Sequence, residues 1–232
     1  MLAWLERGDP FPPVERALKN PNGLLAAGAD LSVERLLEAY RRGIFPWYSN
    51  GQPPLWWSPD PRMVLECAAL KVSRSLSKSI RNKGYVVRID SAFPEVLRGC
   101  SEPRLYEPAT WLGADMRLAY ARLHEAGYAH SFETWRDGEL VGGLYGVAVG
   151  RMFYGESMFS RATDASKVAL VKLVQVLTSR GFPLVDCQMH TPLLESLGAR
   201  EIPRREFLRA LAGLVNYPEP PMKWNTKSSV QT

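Results

Sequence analysis

The sequence predicts an α+β protein in which a mixed sheet is flanked by helices. In the second half, a helical pattern, three strand patterns, a long apolar helix and alternating short strands and helices follow one another, as in a layered α+β sandwich. In the first half, short apolar runs and helical patterns are separated by proline and glycine. With 232 residues, of which 46% are apolar, the chain can bury a substantial core, and one large domain or two small ones are expected.

The first 100 residues predict a small α+β domain. Residues 1–31 are rich in Pro and Gly and predict turns. A helix should begin at the N-cap Ser32 and stop at Gly43. Its apolar face consists of Val33, Leu36, Leu37 and Tyr40. Residues 44–61 hold three tryptophans among prolines and predict an ordered loop, which is either a plug under the core or an aromatic platform for a base. The remaining elements are a strand at 63–67, a helix at 73–82, a strand at 85–89 and a helix from the cap Ser91 to about Cys100.

The second half, from 101 to 215, predicts a catalytic domain with more regular patterns. Asp137-Gly138 is a strong hairpin signal between two strands, and the helix that begins near Ser166 is apolar over much of its circumference and should be buried. In chain order the elements are a helix at 113–126, strands at 129–135, 140–149 and 151–157, a helix at 166–180, a strand at 182–188, a short helix after Thr191-Pro192, a strand at 199–202 and a helix at 203–215. This order is close to that of the GNAT acyltransferase fold. The tail from 216 to 232 has little to bury and should be loose.

Composition excludes several classes of protein. Cys67, Cys100 and Cys187 have no CxxC spacing, so a disulfide framework and a structural zinc site are disfavoured, and a reducing cytoplasm is expected. The three histidines are not spaced as metal ligands, and no metal or cofactor is predicted. The N-terminus lacks the apolar region of a signal peptide, and no run of about 18 apolar residues predicts a membrane span. We expect a monomer.

A cluster of cations precedes and occupies the helix predicted at 73–82. Lys71, Arg74, Lys78 and Arg81 recur at helical spacing, and the segment 71–89 contains no acid. Four cations on one face repel one another unless something neutralises them, and phosphates are the obvious candidate. A solvated basic face is the alternative.

Three polar residues are predicted to meet where strands end beside apolar side chains. Glu156 lies between Phe153 and Met158, and Asp186 and Gln188, at i and i+2, should share one face of a strand. Polar groups in an apolar pocket usually serve a ligand or chemistry. The alternatives are a salt bridge from Glu156 to Arg161 and a turn cap by Asp186.

Cys187 should point to the face opposite Asp186 and Gln188, which argues against a Cys–His nucleophile with His190. The chain has neither a GxSxG elbow nor a P-loop.

Long motifs resemble one known family. They are Phe-Tyr-Gly-Glu-Ser-Met-Phe-Ser at 153–160, Asp-Cys-Gln at 186–188, Ser-Leu-Gly-Ala at 196–199, Tyr-Arg-Arg-Gly-Ile-Phe-Pro-Trp at 40–47 and Trp-Trp-Ser-Pro-Asp-Pro-Arg at 56–62. With the Pro-Asn-Gly-Leu-Leu turn at 21–25, the match runs from about Phe11 to Leu211 and resembles leucyl/phenylalanyl-tRNA–protein transferase.

The resemblance implies transfer of Leu or Phe, with Met as a further candidate, from aminoacyl-tRNA to the N-terminal α-amine of proteins that begin with Arg or Lys. This addition marks them for N-end-rule degradation. The usual acyl-CoA loop is absent between the third strand of the second half and the long helix, which a tRNA donor would permit. The family often has a His where this chain has Leu193.

The resemblance also implies roles for individual residues. Asp186 and Gln188 correspond to the catalytic pair, Glu156 lines the acceptor side, and Trp47 and Trp111 hold the terminal adenosine of the tRNA. The basic stripe at 71–81 would contact the tRNA. The pocket for the aminoacyl side chain would consist of Leu144, Phe153, Met158, Leu170, Leu173, Leu177 and Val185.

The chemistry of the reaction favours positioning over strong base catalysis. An aminoacyl ester is already activated, and an α-amine with a pKa of about 7.7–8.0 is partly neutral at pH 7. We expect Gln188 to hydrogen-bond the amine, Asp186 to orient Gln188, and a backbone N–H to hold the oxyanion. The alternatives are an acyl-CoA N-acyltransferase of the same fold and a non-catalytic RNA-binding module.

Overall fold

A computed structural model describes residues 2–102, 112–217 and 224 of the chain. The helices in these residues are α1 Val33–Arg41, α2 Arg74–Asn82, α3 Phe93–Ser101, α4 Ala114–Glu125, α5 Ala165–Ser179, α6 Pro192–Ser196 and α7 Arg204–Leu214. The strands are β1 Ala3–Leu5, β2 Leu24–Gly28, β3 Phe45–Pro46, β4 Leu55–Trp57, β5 Arg62–Glu66, β6 Val86–Ile89, β7 Ala129–Arg136, β8 Glu139–Val149, β9 Met152–Ser160, β10 Leu184–Gln188 and β11 Arg200–Ile202.

The strands form two sheets. The small sheet has the order β1-β2-β4-β3, and the large sheet has the order β11-β5-β10-β9-β8-β7-β6. In the large sheet β9 and β10 run parallel, whereas the other neighbouring strands run antiparallel. This mixed sheet with helices packed on it confirms the predicted α+β class, and the second half has the predicted order of elements.

The division between the sheets lies near residue 60 rather than at the predicted boundary near residue 100. Strand β5 pairs with β10 and β11, and β6 pairs with β7, so both strands belong to the large sheet. Local sequence patterns indicate that a segment is a strand but carry no information on which distant strand it joins. The first 100 residues therefore do not form a separate unit.

The helix predicted after Ser32 is confirmed. The Ser32 hydroxyl accepts a hydrogen bond from the backbone N–H of Arg35, and Gly43 adopts φ 71° just beyond the helix end. The hairpin between β7 and β8 is also as predicted, because Asp137 and Gly138 both have positive φ, 52° and 82°, which two-residue hairpin turns require.

The turn predicted at 21–23 is present. The prediction of a loop for 44–61 was wrong in part, because residues 1–31 and 44–61, where no strand was predicted, supply the four strands of the small sheet. Strand β2 is buried at every position, so its residues show no polar–apolar alternation that would reveal a strand. The predicted cap Ser91 was also wrong. Helix α3 begins after Ala92 without a side-chain cap, and the Ser91 hydroxyl donates to Glu133 Oε2 at 2.6 Å instead. A buried carboxylate is costly unless donors such as this hydroxyl satisfy it.

Trp224, one of the described residues of the C-terminal tail, is firmly packed, although the tail was predicted to be loose. The Trp224 side chain is only 4% exposed and stacks on the His130 ring, with centroids 3.9 Å apart. Within the described ranges, no helix has both the length and the apolar character needed to cross a membrane.

Candidate active site

A cavity of about 930 Å³ lies between the small sheet and the large sheet. The small sheet and its loops contribute residues 46–49, Leu55 and Trp57, and the large sheet contributes β8, β9 and β10. Helices α5 and α6 close the remaining side. The cavity therefore exists only because both parts of the chain come together.

One wall of the cavity is apolar. Of the seven residues predicted for the aminoacyl pocket, five line it: Leu144, Met158, Leu170, Leu173 and Val185. Phe153 and Leu177 do not line it, and both are fully buried in the core. Phe153 is instead the direct neighbour of Val185 in the strand register, so its ring lies beside the wall and not on it.

Glu156 lines the same cavity but lies in the middle of β9, not at its end as predicted. Its Oε1 accepts hydrogen bonds from the Tyr40 hydroxyl at 2.8 Å and from Gln188 Nε2 at 3.1 Å. Its Oε2 accepts one from the Tyr120 hydroxyl at 2.6 Å. The alternative of a salt bridge to Arg161 does not hold, because Arg161 pairs with Glu102.

Tyr40 and Tyr120 are site residues that sequence reasoning missed. Both are fully buried, on α1 and α4, and their hydroxyl oxygens are 3.0 Å apart. A buried tyrosine hydroxyl usually has a polar partner. Two tyrosines within predicted helices could therefore have signalled a buried polar group between them.

Burial raises the pKa of Glu156 from its usual 4.5 to about 7. The hydrogen bonds from Tyr120, Tyr40 and Gln188 oppose the rise, and the negative charge of Asp186 adds to it. Near neutral pH this carboxyl group can therefore change its charge when a charged ligand arrives.

Asp186 is fully buried and forms a bidentate ion pair with Arg62. Arg62 Nε donates to Oδ1 at 2.8 Å and Nη2 donates to Oδ2 at 2.6 Å, and both side chains are 0% exposed. Arg62 Nη1 also donates to the carbonyl of Gly43, and the guanidinium lies 4.7 Å from the ring centres of Phe45 and Phe207. Arg62 was missed as a site residue, although it ends the Trp-Trp-Ser-Pro-Asp-Pro-Arg motif.

The backbone changes direction between Asp186 and Gln188. The register of β10 on β5 shifts there, and Gln188 has φ +64°, so the two side chains do not share a strand face as predicted. Asp186 Oδ1 accepts from the backbone N–H of Gln188 at 2.9 Å, while Glu156 accepts from its side-chain amide. Asp186 thus fixes the backbone of Gln188, and Glu156 orients its amide.

Cys187 lines the cavity together with Gln188, whereas Asp186 does not, so the prediction that Cys187 faces away was wrong. The same irregularity in β10 accounts for this. Burial and the negative charge of Asp186 raise the pKa of the Cys187 thiol well above its usual range, so it is no thiolate nucleophile. His190 pairs with Glu195 at 3.1 Å instead.

Trp47 lies at the rim of the cavity, with 37% of its surface exposed. Its ring meets Trp57 edge to face at 5.4 Å, and Trp57 Nε1 donates to the Trp47 carbonyl at 2.6 Å. Leu193, on α6, also lines the cavity. Trp111, predicted to share the role of Trp47, lies outside the described residues.

The basic stripe is exposed but is not a single helix face. Arg74, Lys78 and Arg81 lie on α2, whereas Lys71 precedes the helix N-cap Ser73. None of the four cations forms an ion pair with a residue in the described ranges. The backbone N–H of Lys71 donates to the carbonyl of residue 197, just after α6, so this end of the stripe begins beside a cavity wall.

In the described part of the chain no group of three or more His, Cys, Asp or Glu side chains could hold a metal ion.

Comparison with known proteins gives consistent matches along the chain. Residues 64–212 match the profile of the family described as leucyl/phenylalanyl-tRNA protein transferase, and residues 29–60 match that of its N-terminal domain. A leucyl/phenylalanyl-tRNA–protein transferase of Chromobacterium violaceum is 60% identical over 225 residues, covering 97% of each chain. One from Thiobacillus denitrificans is 63% identical over 218 residues, covering 94% of this chain and 96% of the relative.

Solved structures match more weakly. FemX aligns with a TM-score of 0.48 and 11% identity over 78% of this chain and 71% of FemX. A putative GNAT-family acetyltransferase from Novosphingobium aromaticivorans aligns with a TM-score of 0.39 and 15% identity over 69% and 64% of the two chains. Similarity at this level carries no information on what the chain binds.

Proposed function

This chain belongs to the leucyl/phenylalanyl-tRNA–protein transferase family, and we propose that its cavity brings the aminoacyl end of the tRNA and an acceptor amine together. The enzyme transfers Leu or Phe from aminoacyl-tRNA to protein N-termini. The observation that supports the proposed site is one cavity with an apolar wall and, beside it, the hydrogen-bonded pair Gln188–Glu156. The acceptors we propose are proteins that begin with Arg or Lys. We propose a monomer that works in the cytoplasm, where aminoacyl-tRNA is made.

The apolar wall is proposed to bind the Leu or Phe side chain. It comes from three strands and one helix, and we propose that these elements surround a side chain that is unbranched at its β-carbon. Such a slot separates side chains that differ by one methylene by about 1–3 kcal/mol. Leu170, on α5, faces into it, and Leu170→Phe should shift the preference from Phe toward the smaller Leu. An unchanged Phe/Leu ratio would argue against this use of the wall.

Glu156 is proposed to recognise the cationic side chain at the acceptor N-terminus. An ionised carboxylate offers about four acceptor positions, and three are occupied by Tyr40, Tyr120 and Gln188. A guanidinium or ammonium group near the carboxyl favours its ionised form and lowers its pKa. Because the pKa of Glu156 is raised to about 7, a bound cation can change its charge near neutral pH. A neutral acceptor side chain would lack this favourable interaction with the ionised carboxylate.

Gln188 is proposed to position the attacking amine. Its Nε2 donates to Glu156, so its Oε1 is left to accept a hydrogen bond from the α-amine of the acceptor. The neutral amine attacks the ester carbon, the new C–N bond forms as the C–O bond to the terminal ribose breaks, and the amine proton passes to the leaving oxygen or to water. Correct placement of two reactants can lower the barrier by roughly 7–11 kcal/mol, so no strong base is needed.

The exposed surfaces around the cavity are proposed to hold the tRNA. Trp47 offers an exposed ring at the rim on which the terminal adenine can stack, with Trp111 proposed for the same base. Lys71, Arg74 and the cations that follow on α2 have no ion-pair partner among the described residues, so they can offer their positive charge to the phosphate backbone.

The decisive experiment mixes the purified protein with Phe-tRNA and a peptide that begins with Arg, and detects Phe addition by mass spectrometry. Gln188→Ala and Asp186→Ala are then compared in single-turnover transfer. We expect both to be slower and their losses not to add, because one residue holds the other. Wild-type rates in both variants would reject the proposed site, and addition from acyl-CoA instead of aminoacyl-tRNA would favour the acyl-CoA alternative.

A further inference from the structure

Trp224 packs against the large sheet ten residues after the end of α7. Its ring stacks on His130 with centroids 3.9 Å apart and planes 7° apart, and the guanidinium of Arg180 lies 4.8 Å from the ring centre. Its backbone N–H donates to Asp90 Oδ2 at 3.1 Å. The residue is thus held by contacts to its ring and to its backbone.

Three phenylalanines complete the surroundings of Trp224. The ring centres of Phe132, Phe153 and Phe182 lie 6.3, 6.0 and 5.9 Å from that of Trp224, and all three rings are at most 2% exposed. We call these residues, with His130 and Trp224, the aromatic cluster. It belongs to the same hydrophobic core as the apolar wall of the cavity.

Two rings of the aromatic cluster are direct strand neighbours of that wall. Phe132 on β7 is paired with Leu144 on β8, and Phe153 on β9 is paired with Val185 on β10. Paired residues point to the same face of a sheet with their Cβ atoms about 4.5–5.5 Å apart. Leu144 and Val185 line the cavity, so the rings of Phe132 and Phe153 form a layer beside its apolar wall, on the same face of the large sheet.

The ring of Phe153 has little freedom in this layer. A Cβ atom added to Gly146 would come within 2.5 Å of it, so the backbone of β8 confines the ring on one side. The Trp224 ring centre lies 6.0 Å from that of Phe153, and a packed interior transmits a change of volume to its neighbours. Removing the indole therefore gives Phe153 and the wall beside it room to withdraw from the cavity.

We propose that Trp224 is a positioning residue that sets the depth of the aminoacyl pocket, and through it the choice between Phe and Leu. Trp224 would then take part in substrate selection although it is not among the described residues that line the cavity. This inference rests on the apolar wall being the aminoacyl pocket.

The test is competition between Phe-tRNA and Leu-tRNA in one reaction with an Arg-initiated peptide. We expect Trp224→Ala to raise the Phe/Leu ratio by about 3- to 10-fold, a fraction of the roughly 10- to 200-fold that one methylene is worth in an apolar pocket. Trp224→Phe, which keeps an aromatic ring, should give a smaller shift in the same direction. It also decides the question if Trp224→Ala does not fold.

Two controls separate pocket depth from loss of packing. Tyr217→Ala removes another aromatic ring near the C-terminus, which lies 3.4 Å from the Arg151 guanidinium and outside the aromatic cluster. Phe11→Ala destabilises the other hydrophobic core, which includes α1 and the small sheet. Neither variant should change the Phe/Leu ratio.

An unchanged ratio in folded Trp224→Ala and Trp224→Phe, or a shift toward Leu, would overturn the proposal. A shift of the same size in Phe11→Ala would do so as well. Leu170→Phe tests separately whether the apolar wall is the aminoacyl pocket, because Leu170 lines the cavity itself. A response at Leu170 without one at Trp224 rejects only the role of the aromatic cluster.

Discussion

The buried ion pair between Arg62 and Asp186 is predicted to serve both stability and positioning, and substitutions can separate the two. Both side chains are 0% exposed and share two hydrogen bonds of 2.8 and 2.6 Å. Removing one partner leaves the other charge buried and unpaired, which costs about 3–5 kcal/mol. At about 2–4 °C per kcal/mol for a chain of this size, Arg62→Met or Asp186→Leu should lower Tm by roughly 6–20 °C.

The double variant Arg62→Met/Asp186→Leu removes both charges together. Because apolar replacement of a whole buried pair is often neutral for stability, Tm should return to within a few degrees of wild type. The backbone N–H of Gln188 has nevertheless lost the acceptor that lies 2.9 Å away. Misplacement of a reacting group by about 1 Å can cost 100-fold, so we expect single-turnover transfer to stay at least about 10-fold below wild type.

Thermal unfolding and single-turnover transfer, measured on the same preparations, provide the comparison. Arg200→Met is the matched control, since its pair with Glu66 at 2.6 Å is about half exposed and should contribute about 1 kcal/mol or less. A double variant that regains both Tm and the transfer rate would refute the positioning role of Asp186. One that regains neither would refute the view that charge burial accounts for the loss of stability.

Three further predictions concern charge. In wild type, the ratio of transfer to an Arg-initiated over a Gln-initiated peptide should rise with pH through about 7 as Glu156 ionises. Glu156→Gln should abolish both this preference and its pH dependence. A ratio that does not change with pH in wild type would contradict this. Burial also raises the pKa of Glu133 from 4.5 to about 7, so between those values the folded state binds more protons and stability falls as pH rises. In Glu133→Gln, the free energy of unfolding measured by denaturant titration should fall over this pH range by up to about 3 kcal/mol less than in wild type, and the transfer rate should not change. An unchanged dependence of the unfolding free energy on pH would contradict this. Charge reversal by Arg74→Glu with Lys78→Glu should weaken aminoacyl-tRNA binding and lower the slope of its salt dependence by the amount expected for about two phosphate contacts. Arg209→Glu on α7 should have neither effect. Equal effects in both variants would point to a general effect of net charge.

The elements that could be predicted from the sequence are those whose signals are local. Ser32 and Gly43 mark the two ends of α1, and Asp137-Gly138 marks a turn that needs two positive φ angles. Such signals act within a few residues, so they do not depend on contacts with distant parts of the chain. Strand β2 has no local signal of this kind, because both of its faces are buried.

The candidate site was predictable in its members but not in their connections. Glu156 and Gln188 were predicted and line one cavity, but the spacing of Asp186 and Gln188 misled because the strand is irregular between them. The partner of Asp186 is Arg62, 124 residues earlier, and the pair forms only because β5 joins β10. Side-chain spacing reveals neither an irregular strand nor a pairing over that distance.

The family profiles meet near residue 60 of this chain, yet the candidate site residues are held from both sides of that point. Tyr40, on α1, donates to Glu156 on β9, and its backbone carbonyl accepts from the Tyr154 hydroxyl at 2.7 Å. The carbonyl of Gly43, just after α1, accepts from the Arg62 guanidinium that pairs with Asp186. The first part therefore does more than contribute Trp47, proposed to contact the tRNA, because it supplies hydrogen bonds to both of the carboxylates that hold Gln188. We therefore expect a change that shifts α1 against the large sheet to slow the transfer step before it alters the proposed aminoacyl pocket.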